Sequence, residues 1–177
     1  MILAIDTATD WVGLALHDGG AVLAELGWRS RRTQTVELAP ALARLWVQTG
    51  VAPADLVAVA VAAGPGSYTG LRVGLALAKG IALGHNLPLV GVPTLDIVAA
   101  AVTRLETDLV IVAQAGRSRL WAGQYSWADK RGWEPVGDPM LTSWEELLGR
   151  VQVAVAFAGE IDAATAGAEE LVAARGF

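Results

Sequence analysis

The chain has 177 residues, 54% of them hydrophobic and 18% charged, with a net charge of −5 and a pI near 5.0. This length builds one large domain or two small lobes around a core that needs no staples. The acidic balance disfavours direct binding to nucleic acid or an anionic membrane, and the absence of cysteine excludes disulfides, thiolate zinc sites and cysteine nucleophiles.

The apolar start Met1-Ile2-Leu3-Ala4-Ile5 is interrupted by Asp6 before a signal-peptide core forms. No apolar run reaches the ~20 residues that span a bilayer, so a soluble cytoplasmic protein without membrane contact is expected. Residues 2–5 read as a buried strand that ends in the polar turn Asp6-Thr7-Ala8-Thr9-Asp10. Residues 11–17 and 21–28 form two further strands, joined by the hairpin signal Asp18-Gly19-Gly20. Residues 36–48 carry Leu38, Leu42, Leu45 and Trp46 at helical spacing, and Gly50 stops that helix. After a short turn at Pro53-Ala54-Asp55, residues 56–63 are a continuous apolar strand of the kind buried on both faces.

The segment Ala63-Gly64-Pro65-Gly66-Ser67-Tyr68-Thr69-Gly70-Leu71-Arg72 then leads into a helix over 69–83, ended by Gly84. Residues 89–92 are a strand, and Thr94 caps a helix from Leu95 to about Arg104. Beyond it, residues 109–113 and 120–127 are strands joined through Gly116-Arg117-Ser118, and Asp129-Lys130-Arg131-Gly132 is a turn. Ser143-Trp144-Glu145-Glu146 is a capping box that opens a short helix. Residues 151–157 form a strand, and 163–175 a last helix with Gly176 as its stop.

The order β-β-β-α-β-α-β-α is that of a ribonuclease-H-like lobe, the unit that is duplicated in actin-like proteins. An α/β fold with two lobes follows, 1–103 and 104–177, the second a shortened partial copy. Fold alone does not give function.

The Gly/Pro junction has two uses. Backbone N–H groups at a strand–turn–helix junction hold an anion, and small residues let another backbone approach closely. An anion- or nucleotide-binding site would use Asp6, Thr7, Gly64, Gly66, Ser67, Thr69, Gly70 and Arg72. The Lys-Ser/Thr pair of a phosphate-binding loop is absent, so a structural turn weighs above a phosphate cradle. Asp6 reads either as a carboxylate near a metal or phosphate or as a turn cap. A two-metal nuclease needs several converging carboxylates, and the equivalent place in the second lobe holds Gln114. His17 and His85 are far apart and have no metal-ligand spacing. Ser67 lies outside any G-x-S-x-G elbow and suits helix capping. No catalytic residue, metal site or cofactor is therefore assigned.

The seven tryptophans read mostly as core or lobe-interface residues, with Trp28 and Trp46 as candidate partner anchors. On the second helix Gly70, Gly74, Ala78 and Ala82 make a smooth ridge, with Leu71 and Leu75 beside it. Glycine inside a helix costs about 1 kcal/mol relative to Ala, so tolerating it implies close packing. That helix is apolar nearly all round, which points to a helix pair with another subunit. The expected interface is Leu38, Leu42, Leu45, Trp46, Gly70, Leu71, Gly74, Leu75, Ala78 and Ala82. On this reading Gly74→Trp abolishes pairing and leaves the fold intact.

At these residues the chain resembles the bacterial TsaB family, also called YeaZ. The matching pieces are Ile2-Leu3-Ala4-Ile5-Asp6-Thr7-Ala8-Thr9, Gly64-Pro65-Gly66-Ser67-Tyr68-Thr69-Gly70-Leu71-Arg72-Val73-Gly74, Ala82-Leu83-Gly84 and Val90-Gly91-Val92-Pro93-Thr94-Leu95. They are dense over the first hundred residues and thin beyond Gly123. The resemblance implies an actin-like fold and a part in making N6-threonylcarbamoyladenosine at position 37 of tRNA. It implies a non-catalytic partner of the TsaD transferase, paired through the first two helices of each subunit, with the ATPase TsaE joining the pair. ATP and Mg would be bound by those partners, tRNA would be met indirectly, and a homodimer is expected when the partner is missing. The alternative is an actin-like nucleotide-binding ATPase. Three departures stand out. Gln34 replaces a frequent His, Gln114 replaces a usual Asp, and the chain ends at Phe177 where the family continues into further helices and a P-x-Y-L-R-like tail. The second lobe is therefore expected to be short.

Overall fold

The computed structural model describes residues 1–30, 33–116 and 118–161. The chain divides into two compact units, Met1–Thr94 and Leu95–Phe177.

In the first unit β1 (Ile2–Asp6), β2 (Trp11–His17) and β3 (Val22–Arg29) form an antiparallel meander. Helix α1 (Gln34–Thr49) follows, then a 3-10 turn at Pro53–Asp55, β4 (Ala58–Ala62), α2 (Tyr68–His85) and β5 (Leu89–Val92). Strand order is β3-β2-β1-β4-β5, with β4 parallel to β1 and β5 parallel to β4. The alternation in β2 buries Val12, Leu14 and Leu16 on one face. These residues join Leu3, Ile5, Val59 and Val61 beneath Leu38, Ala41, Leu42 and Leu45 of α1 and Ala78 and Ala82 of α2.

Gly50 ends α1 with φ +68°, as the sequence predicts. The end of α2 differs from expectation. Gly84 stays helical, and Asn86 takes the left-handed conformation at φ 52°. Asn86 N donates to Leu83 O and Leu87 N to Ala82 O at 2.8 Å. This paired closure lets Leu87 pack on the core.

In the second unit α3 (Thr94–Ala100) is followed by β6 (Asp108–Gly116), β7 (Arg119–Ala128), β8 (Gly132–Pro135), β9 (Met140–Thr142), α4 (Trp144–Arg150) and β10 (Val155–Gly159). The strands run β10-β6-β7-β8, with β9 on β7 and β10 parallel to β6. This repeats the first unit's β3-β2-β1-β4 order, so the partial second copy is present in the topology. Leu95 and Ala99 pack with Leu109, Ile111, Ala113 and Tyr125. That contact moves the division to 94/95, ahead of the 103/104 read from the sequence. Thr94 does not cap α3 through its side chain, because its buried Oγ1 has no hydrogen-bond partner. Ser143 does cap α4, accepting from Glu146 N at 3.2 Å. The last helix expected from the sequence, 163–175, lies outside the described residues.

Candidate functional site

The first strand ends where its side chains meet the loop before α2. Asp6 Oδ1 accepts from Ala8 N at 2.9 Å, an Asx turn that reverses the chain. Burial pushes the Asp6 carboxyl above the usual carboxylate range, and the Ala8 N–H offsets part of that rise. Thr7, fully buried, donates from Oγ1 to Gly70 O at 2.7 Å. Ser67 N donates to Ala8 O at 2.6 Å. Ser67 Oγ accepts from Gly70 N at 3.2 Å and so caps α2. Gly64 has φ +100°, which requires glycine, and its carbonyl accepts from Thr94 N.

The glycines fit this crossing. A Cβ on Gly66 would strike Ala8 O, one on Gly70 would strike Thr7 O, and one on Gly74 would strike Thr7 Oγ1. The close approach that the Gly/Ala spacing implies is therefore made to the chain's own turn after β1, at Thr7 and Ala8. Gly70, Gly74, Ala78 and Ala82 are buried, as are Leu38, Leu42 and Leu45 at 5% exposure or less. These seven expected interface residues are instead core residues of the chain's own first unit. Gly74→Trp would disrupt this unit rather than test pairing. Trp46, Leu71 and Leu75 are half-buried.

Of the expected anion-binding set, Thr7, Ser67 and Gly70 are bonded to one another and Gly66 abuts Ala8, while Asp6 accepts from Ala8 N and Gly64 O from Thr94 N. Thr69 is exposed. Arg72 turns away from Asp6: its guanidinium donates to Tyr68 Oη at 3.2 Å and lies 5.1 Å from that ring's centre. Gln114 N donates to Glu160 Oε2 at 2.7 Å. Among the described residues no three His, Asp or Glu side chains are grouped to hold a metal ion. Sequence reasoning missed Thr7 as the latch on α2. Its signal was the Gly70/Gly74 pair, spaced by one helical turn, whose direction a sequence does not give.

What α1 and α2 turn outward is a different set. Val36 is 68% exposed and Val47 84% on α1, and Leu83 is 82% exposed on α2. Ala39 and Ala43, with Ala76 and Gly80, lie exposed between them. Trp28 and Trp46 are half-buried rather than open anchors, and Trp28 Nε1 donates to Glu37 Oε2 at 3.0 Å.

The strand order, its partial repetition and the loop-to-helix crossing define an actin-like, ribonuclease-H-like α/β protein. The family model "TsaD: tRNA N6-adenosine threonylcarbamoyltransferase" matches residues 29–167, more than half of the chain. The Bacillus subtilis tRNA threonylcarbamoyladenosine biosynthesis protein TsaB is 34% identical over 160 residues, covering 89% of this chain and 70% of that protein. The Escherichia coli protein of the same name is 37% identical over 128 residues, covering 72% of this chain and 54% of that one. The structure of YeaZ from Pseudomonas aeruginosa matches with a TM-score of 0.74 at 24% identity, over 89% of this chain and 74% of that chain. The chain belongs to the TsaB (YeaZ) family.

Proposed function

We propose that this chain is the non-catalytic partner subunit of a TsaD-type transferase in tRNA N6-threonylcarbamoyladenosine biosynthesis. Its named relatives support the role in that biosynthesis. The finer reading, pairing with TsaD through α1 and α2, rests on one observation: both helices keep an apolar outward face after their inward faces are used up. Exposed valine and leucine at Val36, Val47 and Leu83, interleaved with Ala and Gly, suit a helix–helix contact. A TsaE-type ATPase would join the pair, and the acidic chain would leave most tRNA contact to its partner.

The test is co-purification with the TsaD homologue of the same organism, the mass read by light scattering. A one-to-one heterodimer is expected. Val47→Asp and Gly80→Trp, both in open positions, should weaken it at least tenfold with an unchanged circular dichroism spectrum. A well-folded chain that forms no complex overturns the pairing. Tight binding of ATP and Mg²⁺ by the chain alone, seen by calorimetry, would favour the actin-like ATPase instead.

A further inference from the structure

The first unit's sheet ends on β3, an eight-residue edge strand that alternates between half-buried and exposed residues from Ala24 to Arg29. Natural edges are blunted by lysine, proline, bulges or a covering element. This one contains neither lysine nor proline, and its single irregularity lies at the far end, opposite Leu16 and His17. Pairing with β2 fixes which backbone groups are left over. Ser30 N donates to Asp10 O at 2.8 Å, one step beyond the Trp11↔Arg29 pair. Bonded and non-bonded pairs alternate along an antiparallel ladder. Ala24, Leu26 and Trp28 therefore direct their N–H and C=O groups to β2, and those of Glu25, Gly27 and Arg29 point to the open side.

The face of this edge that packs toward α1 carries two grooves, of about 380 and 270 Å³, which flank Trp28. Glu37 and Pro40 line the first, and Leu26, Gly27 and Gln48 the second, while Arg44 lines both. Side chains on one face of a strand recur every second residue, about 6.6 Å apart. Residues of an added strand that oppose Leu26 and Trp28 would therefore enter these two grooves. Glu37 is already engaged, accepting from Thr33 Oγ1 at 2.6 Å and from Trp28 Nε1 at 3.0 Å. Arg44 is exposed and has no carboxylate within ion-pair reach among the described residues. An uncompensated cation and an indole thus sit beside a row of unpaired backbone groups.

We propose that β3 is a docking edge for an extended acidic segment of another protein. The segment adds to the sheet as a sixth strand, bonded to the backbone of Glu25, Gly27 and Arg29. One of its carboxylates enters the second groove and pairs with Arg44 beside the Gln48 amide. Two residues along, an apolar side chain enters the first groove and lies against Trp28 and Pro40. Charge sets this order: Glu37 in the first groove repels a carboxylate, and no acidic residue is among the described residues lining the second. On the opposite face Arg29, 59% exposed and 3.8 Å from Asp10, can take a further carboxylate. Backbone bonds supply affinity in this mode of recognition, and the grooves supply specificity. The surface uses none of Val36, Val47, Gly80 and Leu83, the outward residues of the helix pairing proposed above, and so goes beyond that reading.

The probe is a random peptide library displayed on phage and panned on the full chain. Enriched sequences are expected to carry Asp or Glu two positions from an aliphatic or aromatic residue. A synthetic peptide of that sequence should slow amide hydrogen exchange at least tenfold at Glu25, Gly27 and Arg29, and leave Leu26 and Trp28 nearly unchanged. Arg44→Glu, at an exposed position, should weaken that peptide at least tenfold, and the variant panned afresh should enrich Lys or Arg in place of the acid. Gly27→Pro removes only an outward N–H, which an edge strand tolerates, and should weaken the peptide as much with an unchanged circular dichroism spectrum. A library that yields no enriched sequence overturns the proposal. So do peptides that Arg44→Glu binds equally well, or that protect amides of α1 or α2 instead of the alternate ones of β3. Pairing with the TsaD homologue is read in the mixture of the two proteins, and each of these outcomes leaves it standing.

Discussion

Gly74 and Gly80 lie six residues apart on one helix and have opposite meanings. A methyl group on Gly74 would overlap Thr7 Oγ1, while one on Gly80 enters open space. Gly74→Ala should therefore destabilise by about 2–3 kcal/mol, through lost packing and a displaced buried hydroxyl. Gly80→Ala should stabilise by about 1 kcal/mol. Urea denaturation of the two variants checks both. Asp6 gives a second prediction. Its folded-state pKa is raised, so the folded chain holds the proton more tightly than the unfolded one. Its contribution to stability is then largest at low pH and is lost as pH rises from the ordinary carboxylate value through the raised one. Asp6→Asn keeps an acceptor for Ala8 N and should flatten that part of the pH–stability profile. If instead the variant steepens it, the burial argument fails. At this scale the sequence was legible in part: of the eight residues it marked as one anion-binding set, Thr7, Ser67 and Gly70 bond to one another, while Thr69 is exposed and Arg72 pairs with Tyr68. What the set faces was not legible, because a helix apolar nearly all round does not say which stripe the sheet covers.

At the scale of elements, periodicity located the main strands and helices of the first unit. The third strand slid by one residue and α2 ran past its expected end. Both shifts have local causes. Gly84 was read as a stop, yet the closing residue is Asn86, because only that position lets Leu87 fold back onto the core while Ala82 O and Leu83 O are satisfied. Asn86→Gly should raise stability by a few tenths of a kcal/mol and Asn86→Val should lower it by about 1 kcal/mol or more, since a β-branched residue is strained at φ 52°. Thermal melts of the two variants give the sign directly. The sequence reading missed β8 and β9, of four and three residues. Runs that short carry no usable alternation, and both are held by pairing to β7. α3 was also expected to be longer. It ends at Ala100, and the following turn is fixed instead by Trp133 Nε1 donating to Val102 O at 3.0 Å.

For the whole molecule, the family was legible because its longest matching string, Gly64 to Gly74, lies at the crossing between β1 and α2, where an added Cβ on Gly66, Gly70 or Gly74 would strike Thr7 or Ala8. The boundary between units was not. Nothing in the composition separates residues 95–100 from what precedes them, and only the packing of Leu95 and Ala99 assigns them to the second unit. The acidic charge of −5 carries the last prediction. The chain alone should give no shift of tRNA on a native gel at about 150 mM salt, while its complex with the TsaD homologue should, with an affinity that falls steeply as salt is raised. Strong binding of tRNA by the isolated chain would reassign that contact.

The hydrogen bond from Thr7 to Gly70 ties residues 63 positions apart. In the folded chain it pins the start of α2 to the turn that follows β1. A partner that docks on the outer side of α2 thus meets a helix whose conformational freedom has already been surrendered. Association of that kind carries little ordering penalty. Its calorimetric heat-capacity change should match the apolar surface covered and no more, and mutations in the buried latch should slow assembly only by depleting the folded chain.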